Sequence, residues 1–172
     1  MNRVKTITNK DAEGVYFWLF DRYKILFALM LQTGIRVSDA LKLRVKDVNR
    51  IMDITESKTK KVRTVSVDEK LYKNLRQLCD GKSDSAYVFH SARNASKHIH
   101  RTTLHRQLKK ALTWLKIDCS AHSARKLYAY NVFRETGSIE AVQKALNHKY
   151  ITTTATYLDI DLQKLLKEVK PC

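Results

Sequence analysis

The sequence predicts a mainly α-helical α+β domain with a small antiparallel sheet. Four glycines and one proline, Pro171, are all that punctuate 172 residues, a composition that favours helices over long flexible connections. Apolar residues recur at helical spacing through most of the chain, most clearly at Leu104, Leu108, Leu112 and Leu115. One stretch departs from this. Residues 51–67 carry alternating and β-branched side chains interrupted by a polar run, which reads as a hairpin. The length fits one domain, residues 1–172, large enough to bury a core without disulfides or a structural metal.

Each element has a local reason. Thr8 can cap a first helix running to about residue 20, with Val15, Trp18 and Leu19 on its apolar side. Residues 22–33 form a second helix, apolar nearly all round, which belongs at the centre of the domain. Gly34 ends it, and Ser38 with Asp39 opens a short helix to about residue 43, so Arg36 sits in a tight turn between two helices. The hairpin pairs residues 51–55 with 62–67, and Lys58 projects from its turn. Asp68 opens a helix to Cys79, closed by Asp80 and Gly81, and residues 87–90 form a short extended piece. Further helices are expected over 102–115, 123–136 and, after Gly137 and a Ser138 cap, 139–146. A Thr-rich turn follows, and a last amphipathic helix spans 162–169.

The 33 Lys+Arg against 17 Asp+Glu give a formal charge of +16, which points to a polyanionic partner, nucleic acid before membrane. The longest apolar run, residues 25–31, is too short to span a bilayer, and the first residues do not resemble a signal peptide, so the reading is a soluble cytoplasmic protein. Cys79, Cys119 and Cys172 are odd in number and never in a Cys-x-x-Cys pattern, which argues for a reducing compartment and against a zinc site. His98, His100 and His105 lie in a lysine- and arginine-rich segment without acidic or thiol partners. They read as a DNA-facing loop rather than a metal site.

If the partner is DNA and the reaction is at a phosphodiester, particular residues stand out. Attack raises the charge on the non-bridging oxygens, which planar guanidiniums answer in fixed geometry; Arg36 and Arg125 are the best-placed arginines. A tyrosine hydroxyl with a reference pKa of about 10 needs a nearby base and positive surroundings to attack near neutrality. Tyr157 is the candidate nucleophile and His122, three residues before Arg125 on one helix face, the candidate base. A lysine can protonate the departing sugar oxygen where an arginine cannot. Lys58 is the candidate acid, with Lys60 and Lys61 as rivals, and His148 can donate a hydrogen bond to the phosphate. Tyr150 follows His148 too closely to turn back, and Tyr128 and Tyr130 lie inside a helix. No nucleotide-binding loop or acidic two-metal cluster is visible, so neither metal nor other cofactor is expected.

The order of these residues carries a resemblance. Thr33-Gly34-Ile35-Arg36-Val37-Ser38-Asp39 with Leu41 and Leu43, then Ser57-Lys58-Thr59, His122-x-x-Arg125, Leu146-Asn147-His148, and Tyr157 nine residues on, resemble the catalytic domain of the tyrosine recombinases, the phage integrase family, over nearly the whole chain. The resemblance implies the DNA breaking-rejoining fold. It implies that Arg36, Lys58, His122, Arg125 and His148 surround the phosphate while Tyr157 attacks, leaving a 3′-phosphotyrosine and a free 5′-hydroxyl without metal or ATP. It also implies site-specific recombination on double-stranded DNA, by a homo-tetramer on DNA that is a monomer when free, associated with the nucleoid of a bacterial or phage-infected cell. Family members usually carry an amino-terminal core-binding domain, which is not in this sequence. Ala124, Lys126 and Asn147 stand where leucine, histidine and glycine are usual. The competing readings are a type IB topoisomerase and a basic DNA-binding module without catalysis.

Overall fold

The computed structural model describes residues 7–94, 96–117 and 121–158. The chain divides into two compact units, the first ending at Leu127 and the second beginning at Tyr128.

In the first unit, helix α1 (Asn9–Trp18) begins at Thr8, whose hydroxyl accepts from Asp11 N at 3.1 Å while the Asp11 carboxylate accepts from Thr8 N at 2.9 Å. Two of the helix's unpaired amides are thereby satisfied reciprocally. Helix α2 (Asp21–Thr33) buries Leu26, Phe27, Leu29 and Met30 and packs against α1, the next two helices and a strand, the central position its sequence predicts. Gly34 terminates it with φ 61°, a conformation that favours glycine.

The short helix expected from residue 39 to 43 instead runs from Val37 to Ala40 (α3). Arg36, not Ser38 or Asp39, occupies its cap, with extended backbone and a carbonyl that accepts from Asp39 N and Ala40 N, each at 2.9 Å. Asp39 is committed elsewhere: its buried carboxylate accepts from Ser57 N at 3.0 Å. A side chain reaching across the fold is no longer available to cap its own helix.

Strands β1 (Ile51–Thr55) and β2 (Val62–Ser66) pair antiparallel, Met52 opposite Val65 and Ile54 opposite Arg63. Met52, Ile54, Arg63 and Val65 face inward and their neighbours outward, the alternation a one-sided sheet requires. Asp68 caps α4 (Glu69–Cys79) by accepting from Leu71 N at 2.7 Å. Residues 87–90 form no full strand, only isolated bridges of Tyr87 with Arg44 and His90 with His98. His100 caps α5 (Arg101–Leu115), and α6 (Ala121–Thr136) starts in this unit.

The second unit continues α6 and adds α7 (Ile139–Leu146), capped where Ser138 Oγ accepts from Ala141 N at 3.0 Å, around Ala129, Val142, Leu146 and Leu158. The expected Thr-rich turn is instead a helix, α8 (Ile151–Leu158), with Tyr157 in its last turn. Threonines lower helix propensity by only a few tenths of a kcal/mol each. Burial of Thr154, Ala155 and Leu158 on one side outweighs that, and Thr156 turns its hydroxyl to the Thr152 carbonyl at 2.9 Å. The helix expected over 162–169 lies outside the described residues. No helix among those described is long and apolar enough to cross a membrane.

Candidate functional site

The candidate residues fall into two groups, one in each unit. In the first unit the turn after α2 is fixed by arginines from distant parts of the sequence. Arg125, buried in the first half of α6, donates through Nη1 to the Gly34 carbonyl, 91 residues away. Arg63, buried on the inner face of β2, donates through Nη2 to the Thr33 carbonyl at 2.6 Å. The last carbonyls of a helix lack intrahelical partners and carry partial negative charge, so two guanidiniums at successive carbonyls are well placed there. Arg36 follows two residues after Gly34. Its Nη1 lies 2.8 Å from Glu56 Oε1. That atom makes no aligned hydrogen bond, so the contact is a charge pair rather than a directed bond.

His122 stands one helical turn before Arg125 and is exposed over much of its surface. Partial burial of its ring lowers its pKa below the ordinary value of 6.5, and the positive charges of Arg125, Arg36 and Arg101 push the same way. Because the side chain keeps solvent contact, the three like charges are the sturdier cause. A histidine held neutral at pH 7 among guanidiniums is suited to accept a proton and unsuited to donate one. Lys58 is exposed at the centre of the 57–59 turn, beside Ser57, which accepts from Lys42 Nζ at 2.9 Å. The structure thus gathers Arg36, His122 and Arg125 electrostatically and puts Lys58 on the hairpin whose base, Glu56, pairs with Arg36.

In the second unit α7 ends at Asn147 with φ 54°. His148 follows, its amide donating to the Gln143 carbonyl at 3.0 Å and its own carbonyl accepting from Gln143 Nε2 at 3.2 Å. Its Nδ1 lies 3.0 Å from the hydroxyl of buried Thr154. Its ring meets that of Tyr157 edge to face, centroids 5.8 Å apart. The two expected residues of this unit are therefore in contact, three residues of α8 from Thr154 to Tyr157 bringing hydroxyl and phenol to one side.

The sequence profile of the phage integrase family matches residues 5–164. The chain belongs to the phage integrase family. It is 30% identical over 154 residues to a tyrosine recombinase of Thermosipho africanus, covering 87% of this chain and 53% of that protein. It is 32% identical over 139 residues to the probable integrase/recombinase YoeC of Bacillus subtilis, covering 79% of this chain and 76% of that one. This integrase-family chain thus spans about half the length of the Thermosipho relative. Its fold matches a XerA recombinase with TM-score 0.78 at 21% identity, over all of this chain and 67% of that one. It also matches the XerH site-specific recombinase bound to a palindromic substrate in a post-cleavage complex, TM-score 0.75 at 20% identity, over 97% of this chain and 53% of that one.

Sequence reasoning missed four residues that organise the integrase-family groups: Arg63, Glu56, Gln143 and Thr154. Arg63 left a signal, an arginine on the inward-facing phase of a strand whose next inward residue is Val65. Gln143 and Thr154 reach His148 from five and six residues away, and Glu56 reaches Thr59 locally but Arg36 across the fold.

Proposed function

We propose that this chain cleaves and rejoins double-stranded DNA as a site-specific recombinase, through a 3′-phosphotyrosine on Tyr157. The observation that carries this reading is the bond from Arg125 to Gly34, which ties the arginine of the His122-x-x-Arg125 segment to the turn bearing Arg36. Two guanidiniums and a histidine of lowered pKa make a phosphate-binding group in which attack by an oxygen nucleophile is stabilised without a metal. Tyr157 attacks phosphorus; its proton passes to a base, for which His122 is suited. The bond from phosphorus to the 5′ oxygen breaks, and Lys58 supplies the proton to that oxygen. His148 donates to a non-bridging oxygen. Attack by a 5′-hydroxyl on the phosphotyrosine reverses the step with bond energy conserved, so neither ATP nor metal takes part. Recombinases of the same fold have been solved on DNA, one of them as a dimer on its core site, which supports duplex DNA and further copies of the chain as partners. A tetramer on DNA, a monomer when free and a place in the nucleoid complete the reading, with residues 1–172 acting as its catalytic domain.

The test is covalent capture. The chain is incubated without metal with a pool of nicked suicide duplexes of randomised sequence, and adducts are isolated on a denaturing gel. An adduct that Tyr157→Phe abolishes is the expected result; an adduct that survives Tyr157→Phe, or none from the wild type, overturns the reading. Relaxation of plasmids lacking the captured sequence would point instead to a topoisomerase.

A further inference from the structure

Glu56 is a carboxylate that neither the motif order nor the proposed chemistry uses, yet it is 2% exposed in a chain of net charge +16. Burying a carboxylate costs several kcal/mol unless charge and hydrogen bonds compensate it, so its partners indicate what it does. Oε1 lies 2.8 Å from Arg36 Nη1. Oε2 accepts from the Thr59 hydroxyl at 2.8 Å. Its backbone closes the turn: Glu56 N donates to the Lys61 carbonyl and Lys60 N to the Glu56 carbonyl, both at 2.9 Å. On the other side of Lys58, Ser57 N donates to the buried Asp39 carboxylate at 3.0 Å. Both neighbours of Lys58 are therefore tied to carboxylates, and one of those carboxylates also holds Arg36.

We propose that Glu56 is a positioning residue that sets the Lys58 turn and the Arg36 guanidinium in register with each other. One oxygen faces the guanidinium and the other the turn, so displacement of either group is felt by its partner. The contact to Arg36 is a charge pair without directed alignment, which leaves the guanidinium's N–H groups to be aimed at a phosphate while Glu56 restrains its position. Thr59 restrains the turn so that Lys58, itself exposed, projects from a fixed base. Positioning of this kind matters because a misplacement of about 1 Å can cost roughly 100-fold in rate.

The inference rests on the recombinase reading, and the experiment separates the two. A duplex captured by the wild type is prepared with the ordinary 5′ oxygen and with sulfur in its place at the scissile bond, since a thiolate leaves without being protonated. Single-turnover cleavage and DNA affinity are measured for wild type, Glu56→Gln, Thr59→Val and, as control, Lys58→Ala. Glu56→Gln keeps the shape and removes the charge facing Arg36; it should cleave both substrates about 100-fold more slowly while DNA affinity changes little. Thr59→Val removes the hydroxyl that ties the turn to Glu56 and accepts from Lys61 N at 3.4 Å, and leaves the Arg36 contact in place, so it should be slow on the oxygen substrate and recover on sulfur, as Lys58→Ala does. A wild-type rate for both variants on the oxygen substrate overturns the proposal. So does a Thr59→Val defect that sulfur leaves unchanged while it restores Lys58→Ala. Failure of sulfur to restore Lys58→Ala counts against Lys58 as the acid, and the Glu56→Gln rate then decides the Arg36 arm alone. Absence of any wild-type adduct overturns the recombinase reading and this inference with it. Should Glu56→Gln fail to fold, as judged by circular dichroism, Thr59→Val decides the outcome.

Discussion

Replacing Thr154 by valine keeps the shape of the side chain and removes the hydroxyl that lies 3.0 Å from His148 Nδ1. Thr154 is fully buried, so water does not replace the lost bond. A buried hydrogen bond contributes about 1 kcal/mol net to stability, and up to about 3 kcal/mol where its partner is left unsatisfied. The effect on chemistry follows from the tautomer. With the hydroxyl donating to Nδ1, the proton of a neutral imidazole resides on Nε2, the nitrogen that would donate to a phosphate oxygen. Losing about 1 kcal/mol of that preference costs roughly 5-fold, whereas deleting such a donor altogether costs about 100- to 1,000-fold. Gln143 still holds the His148 backbone and the Tyr157 ring still abuts the imidazole, so the expected loss lies near the lower figure, about 5- to 50-fold in single-turnover cleavage. Thr154→Ser, which restores the hydroxyl, should recover most of it, and DNA affinity should stay near wild type. Wild-type cleavage by Thr154→Val, or a serine variant as impaired as the valine one, would refute the reasoning.

The lowered pKa of His122 fixes two pH dependences. Its folded value lies below the unfolded value of about 6.5, so between those values the unfolded chain binds more protons; stability contributed by the neutral ring is complete above pH 6.5 and falls as pH drops through that window. Urea midpoints measured from pH 7.5 to 5 should show this slope, and His122→Asn should flatten it; an unchanged slope would assign it elsewhere. If His122 is the base, the acid limb of the second-order cleavage rate at limiting DNA, which reports the free protein, should have its midpoint below 6.5, and a midpoint above that value would remove His122 from the role. Asn147 sits at φ 54°, and its Nδ2 is buried without a hydrogen-bond partner among the described residues. Asn147→Gly relieves about 1 kcal/mol of backbone strain and the buried amide, against about 0.5–1 kcal/mol of added chain entropy. The variant should raise the urea midpoint by the equivalent of about 1 kcal/mol at constant m-value, and a lowered midpoint would show that the amide has a structural role.

The parts of the fold legible in the sequence are those with local causes. Thr8, Gly34, Asp68 and Ser138 punctuate their helices as expected because caps depend on a few neighbouring residues. The hairpin is legible because strand alternation and a polar turn lie within one short stretch. Helix α8 was not, since its stability comes from burying Thr154, Ala155 and Leu158, a tertiary effect that overrides a threonine-rich composition. Asp39 misleads in the same way: it looks like a cap and is a tether to Ser57. At the site, motif order picks out which residues to examine, but the Glu56 pair and the Arg63 bond join segments far apart in the chain. Strand phase marks Arg63 as inward-facing, but no local window names the partner of either residue.

How cations are compensated in the first unit bears on how they can act. Arg125 and Arg63 rest on peptide carbonyls at the end of α2, whose summed partial charge is about −0.5. Arg36 rests on a full carboxylate. A carbonyl neutralises part of a guanidinium's charge and leaves most of its attraction for a phosphate. The Arg36–Glu56 contact offsets more of the guanidinium's charge than a carbonyl does, but as a charge pair without a directed bond it leaves N–H groups for a phosphate. The two arginines are anchored differently: Arg125 reaches the carbonyl that closes α2, and Arg36 reaches the carboxylate at the Lys58 turn.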